Sequence, residues 1–222
     1  MGVISGGRMS DRDIQLSGIG RKNTGWVSTG DSVTIADIDR SGGGFSITTA
    51  GNDNEGGTYV YGGEMFDFGD VGCRCTLSAK VNFNQHASNP ADMFIGFSDT
   101  ADADVVTDSD ALQTQDAIGF WVVGGTDFWR TAAINASTDS GETTTTAHTD
   151  ATTYDLRIEV EGLTGGLTIR YYVDNVLVDT VTGFAYASFG PELQLCASVK
   201  NKGASANVLN IYNMDVSHRA MS

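Results

Sequence analysis

The sequence predicts an all-β protein, an antiparallel β-sandwich of the jelly-roll type. Three observations lead to this fold class. Apolar and polar residues alternate with a period of two through many short segments, which is typical of strands that bury one face. The 222 residues include 28 Gly and only 2 Pro, which favours many tight turns. An apolar ribbon also surrounds Asp174 and Asn175, two residues that tolerate the positive φ of a hairpin turn.

Twelve strands are predicted along the chain. Their ranges are 32–38, 45–49, 58–61, 73–83, 93–98, 117–123, 128–132, 154–160, 166–173, 176–182, 192–200 and 207–216. Residues 73–83 and 153–160 alternate strictly, so each is expected to bury one face and expose the other. Long loops at 99–115 and 135–152 interrupt the series. Because no repeat of fixed period occurs, a jelly roll is favoured over a propeller or a solenoid.

The turn at Asp174 and Asn175 predicts the register of its hairpin. The expected cross-strand pairs are Val173 with Val176, Tyr172 with Leu177, Tyr171 with Val178, and Arg170 with Asp179. The last is an opposite-charge pair, worth about 0.2–1 kcal/mol. An isolated hairpin is marginal in water, so this ribbon needs a sheet to pack on.

One sandwich domain is expected at residues 26–222, preceded by a Gly-rich basic arm at residues 1–25. The arm has no strand pattern, and it carries four of the 13 Lys and Arg residues, namely Arg8, Arg12, Arg21 and Lys22. The whole chain has a formal charge of −15, so the arm is a local exception. Two interpretations stay open: a frayed terminus, or an arm that becomes ordered on a partner.

The charge and the cysteines restrict the partners and the compartment. A net charge of −15 argues against general binding to nucleic acid or to anionic membranes. The sequence has no signal-peptide pattern and no apolar segment long enough to span a bilayer, so folding in a reducing cytosol is expected. Cys73, Cys75 and Cys196 are interpreted as buried hydrophobes, because no second C-x-x-C or nearby His completes a metal site.

An acidic loop is the main candidate metal site, and the segment N-D-N-E-G-G at residues 52–57 is a second, weaker one that is interpreted first as a turn. The closely spaced carboxylates of the acidic loop are Asp102, Asp104, Asp108 and Asp110. Oxygen ligands at this density can hold Ca²⁺, although the spacing differs from that of an EF-hand loop. The other interpretation is a solvated acidic loop. No other cofactor is expected.

The sequence offers no catalytic set. Glu159 and Glu161 are the nearest approach to the carboxylate pair of a glycosidase, but they alternate with apolar residues and should face solvent. His86, His148 and His218 are scattered, and no G-x-S-x-G motif occurs. We therefore expect a protein that is not an enzyme.

Two aromatic pairs flank Gly124-Gly125 in a predicted hairpin. They contain Trp121 and Trp129, whose side chains should alternate between the sheet faces with their neighbours. Aromatic residues on the inner face fill a core. A Trp on the wet face would instead stack on a sugar ring or on a protein partner.

The second half of the chain resembles the laminin-G-like or concanavalin-A-like jelly roll. The similar segments are A-I-G-F-W-V-V-G-G, T-T-Y-D-L-R-I-E-V-E-G, L-T-I-R-Y-Y-V-D-N-V-L-V-D-T-V-T-G and L-Q-L-C-A-S-V-K-N-K-G-A-S-A-N-V-L-N-I-Y-N-M-D-V. Val173-Asp174-Asn175 stands where that fold commonly has V-D-G. The ending, with Asp215-Val216 and Arg219, looks most like small structural proteins of tailed phages, namely capsid decoration (cement) proteins and some tail-associated modules.

This resemblance implies a non-enzymatic virion structural protein, made in the host cytoplasm, that binds and stabilises the exterior of a phage capsid. Its partners would be the major capsid protein or another virion protein, and further copies of itself as a dimer or trimer. The four cations of the arm would anchor it. The alternative is a carbohydrate-binding or receptor-binding tail module that uses Trp121 and Trp129, or the acidic loop with Ca²⁺. The E-x-D-x-x-E strand of the glucanase branch is absent from the sequence.

Overall fold

The computed structural model describes residues 13–16, 25–30, 33–38, 44–53, 55–69, 71–85, 90–99, 105, 112, 116–125, 128–135, 138–141, 143–185 and 193–219. Within these ranges the chain forms sixteen strands and no helix, which confirms the all-β prediction. The described part of the chain therefore contains no helix that could cross a membrane.

The strands are β1 (Asp13–Leu16), β2 (Trp26–Gly30), β3 (Val33–Asp37), β4 (Phe45–Thr49), β5 (Gly56–Phe66), β6 (Arg74–Asn84), β7 (Ala91–Ser98), β8 (Ala117–Val122), β9 (Phe128–Asn135), β10 (Thr138–Asp139), β11 (Thr143–Ala147), β12 (Thr153–Leu163), β13 (Gly166–Val173), β14 (Val176–Phe184), β15 (Leu193–Asn201) and β16 (Val208–Arg219). Each of the twelve predicted strands corresponds to one of these. The strands β1, β2, β10 and β11 were not predicted, because they have five residues or fewer and because the alternation in β1 rests on Ile14 and Leu16 alone.

The strands form two eight-stranded antiparallel sheets. The first sheet has the order β14-β13-β12-β6-β16-β4-β3, and β1 also pairs with β16. The second sheet has the order β10-β9-β8-β7-β15-β5-β2, and β11 also pairs with β9. Half of the neighbouring pairs in these two orders are not consecutive in the chain, so the chain crosses between the sheets, as in a jelly roll.

One large apolar core lies between the two sheets. The inward side chains of β6 and β12, such as Leu77, Val81 and Ile158, belong to the same buried cluster as Phe97 and Leu195 of the second sheet. Their outward neighbours are polar and partly exposed, so the predicted alternation is confirmed for these two strands. Full burial of such a side chain stabilises the fold by about 1.5–3 kcal/mol.

The central strands of the second sheet are buried on both faces, whereas Val27 on the outlying strand β2 is 63% exposed. Every residue of β7, β8 and β15 is buried. The outer face of this sheet carries a second apolar cluster with Phe94 and Trp121, against which Val105 and Leu112 pack. Val105 and Leu112, two described residues between β7 and β8, therefore lie over this face, so the pattern of one buried and one solvent-facing side holds for the first sheet and not for the centre of the second.

The N-terminal segment contributes a strand to the first sheet. In β1, Asp13 pairs with Arg219 and Leu16 pairs with Val216. Ile14 and Leu16 are partly buried against the core. Part of the predicted arm is thus folded onto its own chain, whereas the four cations of the arm lie outside the described residues. The boundary at residue 25 and the role of those cations stay predictions.

The predicted hairpin turn is confirmed, but its register is only half right. Asp174 and Asn175 have φ of 50° and 65°, and the first two expected pairs form. A register shift then places Asp179 opposite Tyr171 and Thr180 opposite Arg170. The expected pairs Tyr171 with Val178 and Arg170 with Asp179 are wrong, because this bulge lets Asp179 accept a hydrogen bond from the hydroxyl of Thr131 in the second sheet.

We expect Ala151→Gly to stabilise the fold. Ala151 has φ of 56° in the connection before β12, a left-handed conformation that costs a residue with a Cβ about 1–2 kcal/mol. Gly loses more conformational entropy on folding than Ala does, and this loss offsets part of the gain. The free energy of unfolding, measured by urea denaturation, should therefore rise by about 0.5–1 kcal/mol. Ala36→Gly in β3 is the control and should lower stability. Equal losses in both variants would contradict the assignment of strain to Ala151.

Candidate functional site

The outer face of the first sheet carries a continuous polar surface. It includes cations and carboxylates from three adjacent strands, namely Arg74, Lys80, Asp155, Arg157, Glu159, Glu161 and Arg170. The alternation of β6, β12 and β13 puts these residues outward, because their neighbours are held in the core. Among the described residues, this is the sheet face whose outward side chains remain partly exposed.

A shallow groove of about 350 Å³ crosses this polar surface. It is lined by Ser78, Ala79, Lys80, Asp155, Leu156, Arg157, Asn175 and Asn213. The lining residues come from β6, β12, β16 and the turn between β13 and β14. The groove is therefore built on rigid strands and one tight turn, which holds its polar groups in fixed positions.

A bulge in β16 places Asn213 in the groove. The register of β16 with β6 shifts between Ile211 and Asn213, so that Tyr212 is an extra residue. Asn213 then lies opposite Lys80 on the outer face, while Met214 is fully buried. Without the extra residue, a strict period of two would turn Asn213 toward the core.

The hairpin turn holds Asn175 at the groove through Asp174. The backbone N–H of Asp155 donates to Oδ1 of Asp174 at 2.8 Å. The backbone N–H of Asp174 donates to the carbonyl of Asp155, also at 2.8 Å. These two bonds fasten the turn to β12, next to the position that Asn175 occupies.

The charges in and beside the groove are paired. Lys80 Nζ lies 3.6 Å from a carboxylate oxygen of Asp155, and Arg157 lies 3.4 Å from Glu159. The Arg157 guanidinium also sits 4.0 Å above the ring of Tyr172, whose hydroxyl donates to Glu159 at 3.1 Å. Because these side chains are partly exposed, each pair contributes little to stability. The groove thus has many hydrogen-bonding groups and little net charge.

Glu159 and Glu161 lie on the outer face, as the sequence predicted. Glu161 contacts two guanidinium groups, at 2.9 Å from Arg74 and 3.7 Å from Arg170. Glu159 is occupied by Arg157 and Tyr172, and neither glutamate lines the groove. Among the described lining residues, Asp155 is the one carboxylate, so the described lining contains no pair of carboxylates that could flank a ligand.

The structure buries both candidate tryptophans. Trp129 is 0% exposed and packs edge-on against Tyr154 in the main core. Trp121 is 6% exposed in the outer cluster, and the Arg130 guanidinium lies 5.0 Å from its ring. The expectation that these aromatics fill a core is confirmed. The alternative role in stacking on a glycan stays a prediction, since both rings are buried in the described structure.

The remaining candidates do not form a described metal site. Asp102, Asp104, Asp108 and Asp110 lie outside the described residues, so the calcium site stays a prediction. Among the residues that the structure describes, no three His, Cys, Asp or Glu side chains are grouped to hold a metal ion. His148 and His218 are buried beside aromatic rings. Nε2 of His218 lies 2.7 Å from the carbonyl of Asp67, which indicates a structural role.

Comparison with known proteins supports the fold. No family model matches the chain, and no curated protein matches it. Peanut lectin in complex with a 9mer peptide has a TM-score of 0.67 at 12% identity, covering 95% of this chain and 99% of the lectin. Arcelin-5, a lectin-like defence protein from Phaseolus vulgaris, gives 0.60 at 9% identity, with 95% and 99% covered.

A phage protein has a similar structure. A carbohydrate esterase from the Shiga toxin-encoding bacteriophage phi24B gives a TM-score of 0.53 at 15% identity, covering 89% of this chain and 91% of the esterase. At these identities the likeness concerns the fold alone. The chain has a lectin-like β-sandwich, as the resemblance to concanavalin-A-like jelly rolls implied.

The sequence analysis missed the groove. The polar positions of β6 and β12 were interpreted as an ordinary solvent face, and Asn175 as a turn residue. A row of outward Ser, Lys, Asp and Arg side chains on two strands is a usable signal once the strands are known to be neighbours. The bulge that turns Asn213 outward has no signal in the sequence.

The buried thiols should make stability depend on pH. Burial raises the pKa of Cys75 well above its ordinary value of 9.0, with a smaller effect from Cys73, and burial with Asp99 raises the pKa of Cys196. Above pH 9 the unfolded thiols ionise and the folded thiols do not. Each of these two thiols should therefore lower the free energy of unfolding by about 1.4 kcal/mol per pH unit.

Urea denaturation between pH 8 and 10.5 measures this slope. Cys196→Ala should reduce this slope by the contribution of one thiol. The reduction in slope does not depend on how much stability the variant loses at pH 8. An Ellman's assay should find no reactive thiol in the folded protein and three in guanidinium. An unchanged slope in Cys196→Ala would show that this thiol is accessible to solvent.

Proposed function

We propose that the chain is a non-enzymatic binding module that takes a neutral carbohydrate in the groove of the first sheet. The observation that carries the proposal is the groove lining, in which amides, a hydroxyl, a carboxylate and two cations converge from three strands and a turn. Sugar hydroxyls both donate and accept hydrogen bonds, and such a lining matches them. The likeness to peanut lectin, a protein named as a lectin, agrees with this proposal.

The side chains of the groove differ in whether they would donate or accept hydrogen bonds. Asn175 and Asn213 each offer an amide donor and an acceptor at opposite sides of the groove. Asp155 accepts from hydroxyls, while Lys80 and Arg157 donate. Leu177, 51% exposed and opposite Tyr172, supplies apolar surface beside the groove for the C–H face of a sugar ring.

Charge favours a neutral ligand over an acidic one. The groove cations already contact Asp155 and Glu159, and the chain as a whole has a charge of −15. An anionic glycan would meet the repulsion of the whole surface without a free cation in the lining. The shallow depth of the groove also predicts modest affinity, of the order of 1 mM, or about −4 kcal/mol.

A glycan array followed by titration calorimetry with the best neutral glycan tests this function. Asn213→Ala and Asn175→Gly should each weaken binding about tenfold, the loss of one or two hydrogen bonds. Asn175→Gly is a sharp test because Gly keeps the positive φ of the turn while removing the amide. Asn84→Ala, at an exposed position on the same strand as Lys80 but outside the groove, is the matched control.

Two results would contradict the proposal. One is the absence of binding to any neutral glycan at millimolar concentration. The other is binding that survives both groove variants while Asn84→Ala weakens it, which would move the ligand elsewhere on the sheet.

A second candidate is the virion structural protein, a capsid decoration or cement protein. It is favoured by β1, since the N-terminal segment forms a strand that pairs with β16 of the first sheet, and Arg8 and Arg12 precede this strand in the sequence. A phage protein also has this fold. In this hypothesis the sandwich sits on the capsid exterior, and the cations contact an acidic surface of the major capsid protein or another virion protein. Binding only to assembled capsids would stabilise the shell by mass action.

Cosedimentation with intact capsids tests the second candidate. Deleting residues 1–12 removes Arg8 and Arg12 but leaves β1, so docking should be lost while the melting temperature is unchanged. Deleting residues 1–22 also removes β1 and should lower stability as well. Docking that is unaffected by the shorter deletion would contradict an anchoring role for these two arginines.

A further inference from the structure

Arg130 of β9 differs from the other described cations in having no counter-ion. The cations that lie within 3.7 Å of a carboxylate are Arg74, Lys80, Arg157, Arg170 and Lys202. Lys200 and Arg219 also have interaction partners. Among the described residues, no carboxylate pairs with the guanidinium of Arg130, and its Nε is buried without a hydrogen bond. In a chain with 28 Asp and Glu residues and 13 Lys and Arg residues, an unpaired cation is unexpected.

The indole of Trp121 holds this guanidinium in place. Arg130 lies directly opposite Trp121 in the pairing of β8 with β9, and its guanidinium is 5.0 Å from the centre of the indole ring. Nε1 of Trp121 donates to the carbonyl of Thr131 at 3.3 Å, which ties the ring to the strand that carries Arg130. Because the guanidinium is stacked on a buried ring, it is oriented before a ligand arrives, and this lowers the entropy cost of binding.

An exposed aromatic ring lies beside this guanidinium. Phe128 comes two residues before Arg130 on β9, so the two side chains share the outer face of the second sheet, with their Cα atoms about 6.6 Å apart. Phe128 is 44% exposed, whereas Trp129 between them points into the main core and is fully buried. Both side chains are accessible, since Arg130 is itself partly exposed. This part of the sheet therefore presents an oriented cation and an apolar ring side by side.

We propose that Phe128 and Arg130 form a binding site for a small organic acid, a carboxylate carried on an apolar ring or a short apolar chain. The planar edge of a stacked guanidinium matches the two oxygens of a carboxylate in bidentate hydrogen bonds. The apolar part of the ligand covers the exposed ring of Phe128. Trp121 is a positioning residue here, because it orients Arg130 and does not touch the ligand.

The described charges around the site allow an anion to bind. Asp92 on β7, two strands away, is buried and lies 3.0 Å from Nζ of Lys202, so its charge is compensated. Asp179 accepts a hydrogen bond from Thr131, whose side chain is on the opposite face of β9 from that of Arg130. More distant charges are screened beyond about 8 Å at physiological ionic strength. The site lies on the other sheet from the groove, so it does not depend on the proposed sugar ligand.

An NMR titration of the full chain with phenylacetate tests the site. The reporter is the indole N–H signal of Trp121, which is assigned by its loss in Trp121→Phe. This signal should shift to saturation with phenylacetate, while that of Trp26, buried in the main core, should not move. Phenylacetamide, a neutral molecule of nearly the same shape, should bind at least tenfold more weakly, because it lacks the charged hydrogen bonds to Arg130.

Variants separate the contributions of charge and shape. Arg130→Gln should weaken phenylacetate binding at least tenfold. Arg130→Lys keeps the charge but loses the planar fork, so its loss of affinity should be smaller than that of Arg130→Gln. Arg219→Gln removes an exposed cation at the end of β16 in the other sheet. It is the matched control and should leave the affinity unchanged.

Three results would overturn the proposal. The first is the absence of a saturable shift of the Trp121 signal at tens of millimolar phenylacetate. The second is equal affinity for phenylacetate and phenylacetamide, which is measured on the wild-type chain and needs no variant. The third is unchanged phenylacetate binding in Arg130→Gln, with circular dichroism showing that this variant is folded.

Discussion

The burial of both faces of the central strands of the second sheet is the constraint on which the rest of this structure depends. Gly96 and Gly119 pair across β7 and β8, and an added Cβ on Gly96 would lie 2.2 Å from the carbonyl of Ile118. The Phe94 ring lies against Gly119 on the outer face. Such close packing needs a cover on each side, which the first sheet and the residues Val105 and Leu112 provide. The solvent-facing surface of the strands is therefore concentrated on the first sheet.

A network of polar side chains lies at one end of the sandwich, where an apolar core would be exposed to water. Asp92 is 1% exposed, accepts from the backbone N–H of Gly124 at 2.6 Å and contacts Nζ of Lys202 at 3.0 Å. Nearby, Thr49 of the first sheet donates to Asn201 of the second at 2.6 Å. Because a buried carboxylate is costly unless it is paired, these contacts fix the connections around them in one arrangement. The sheets are thus joined by directional bonds as well as by apolar packing.

The sequence predicts the strands well because alternation is a local property. The turn at Asp174 could also be predicted from the local sequence, since few residue types accept its positive φ. The order in which the strands pair could not be predicted, because it depends on contacts between residues far apart in the chain, such as those of β16 with β6 and β4. Asp179 looked like a partner for Arg170 and instead binds Thr131 of the other sheet. Trp121 looked like a residue that could face water, because nothing local reveals that Val105 and Leu112 cover it. The groove was hidden for the same reason: its residues become neighbours only in the folded sheet.

The extra residue at Tyr212 has a consequence for how this protein can vary. After Tyr212, the side chains of β16 alternate between the inner and the outer face residue by residue. Met214, Val216 and His218 therefore face inward and are buried. Loss of a single residue at the bulge would exchange the two faces over the rest of the strand. The lining residues of the groove can therefore be substituted one by one, but the number of residues in β16 at the bulge is fixed. Insertions and deletions are accommodated instead at the connections between strands, so variation in length and variation in ligand chemistry belong to different parts of the molecule.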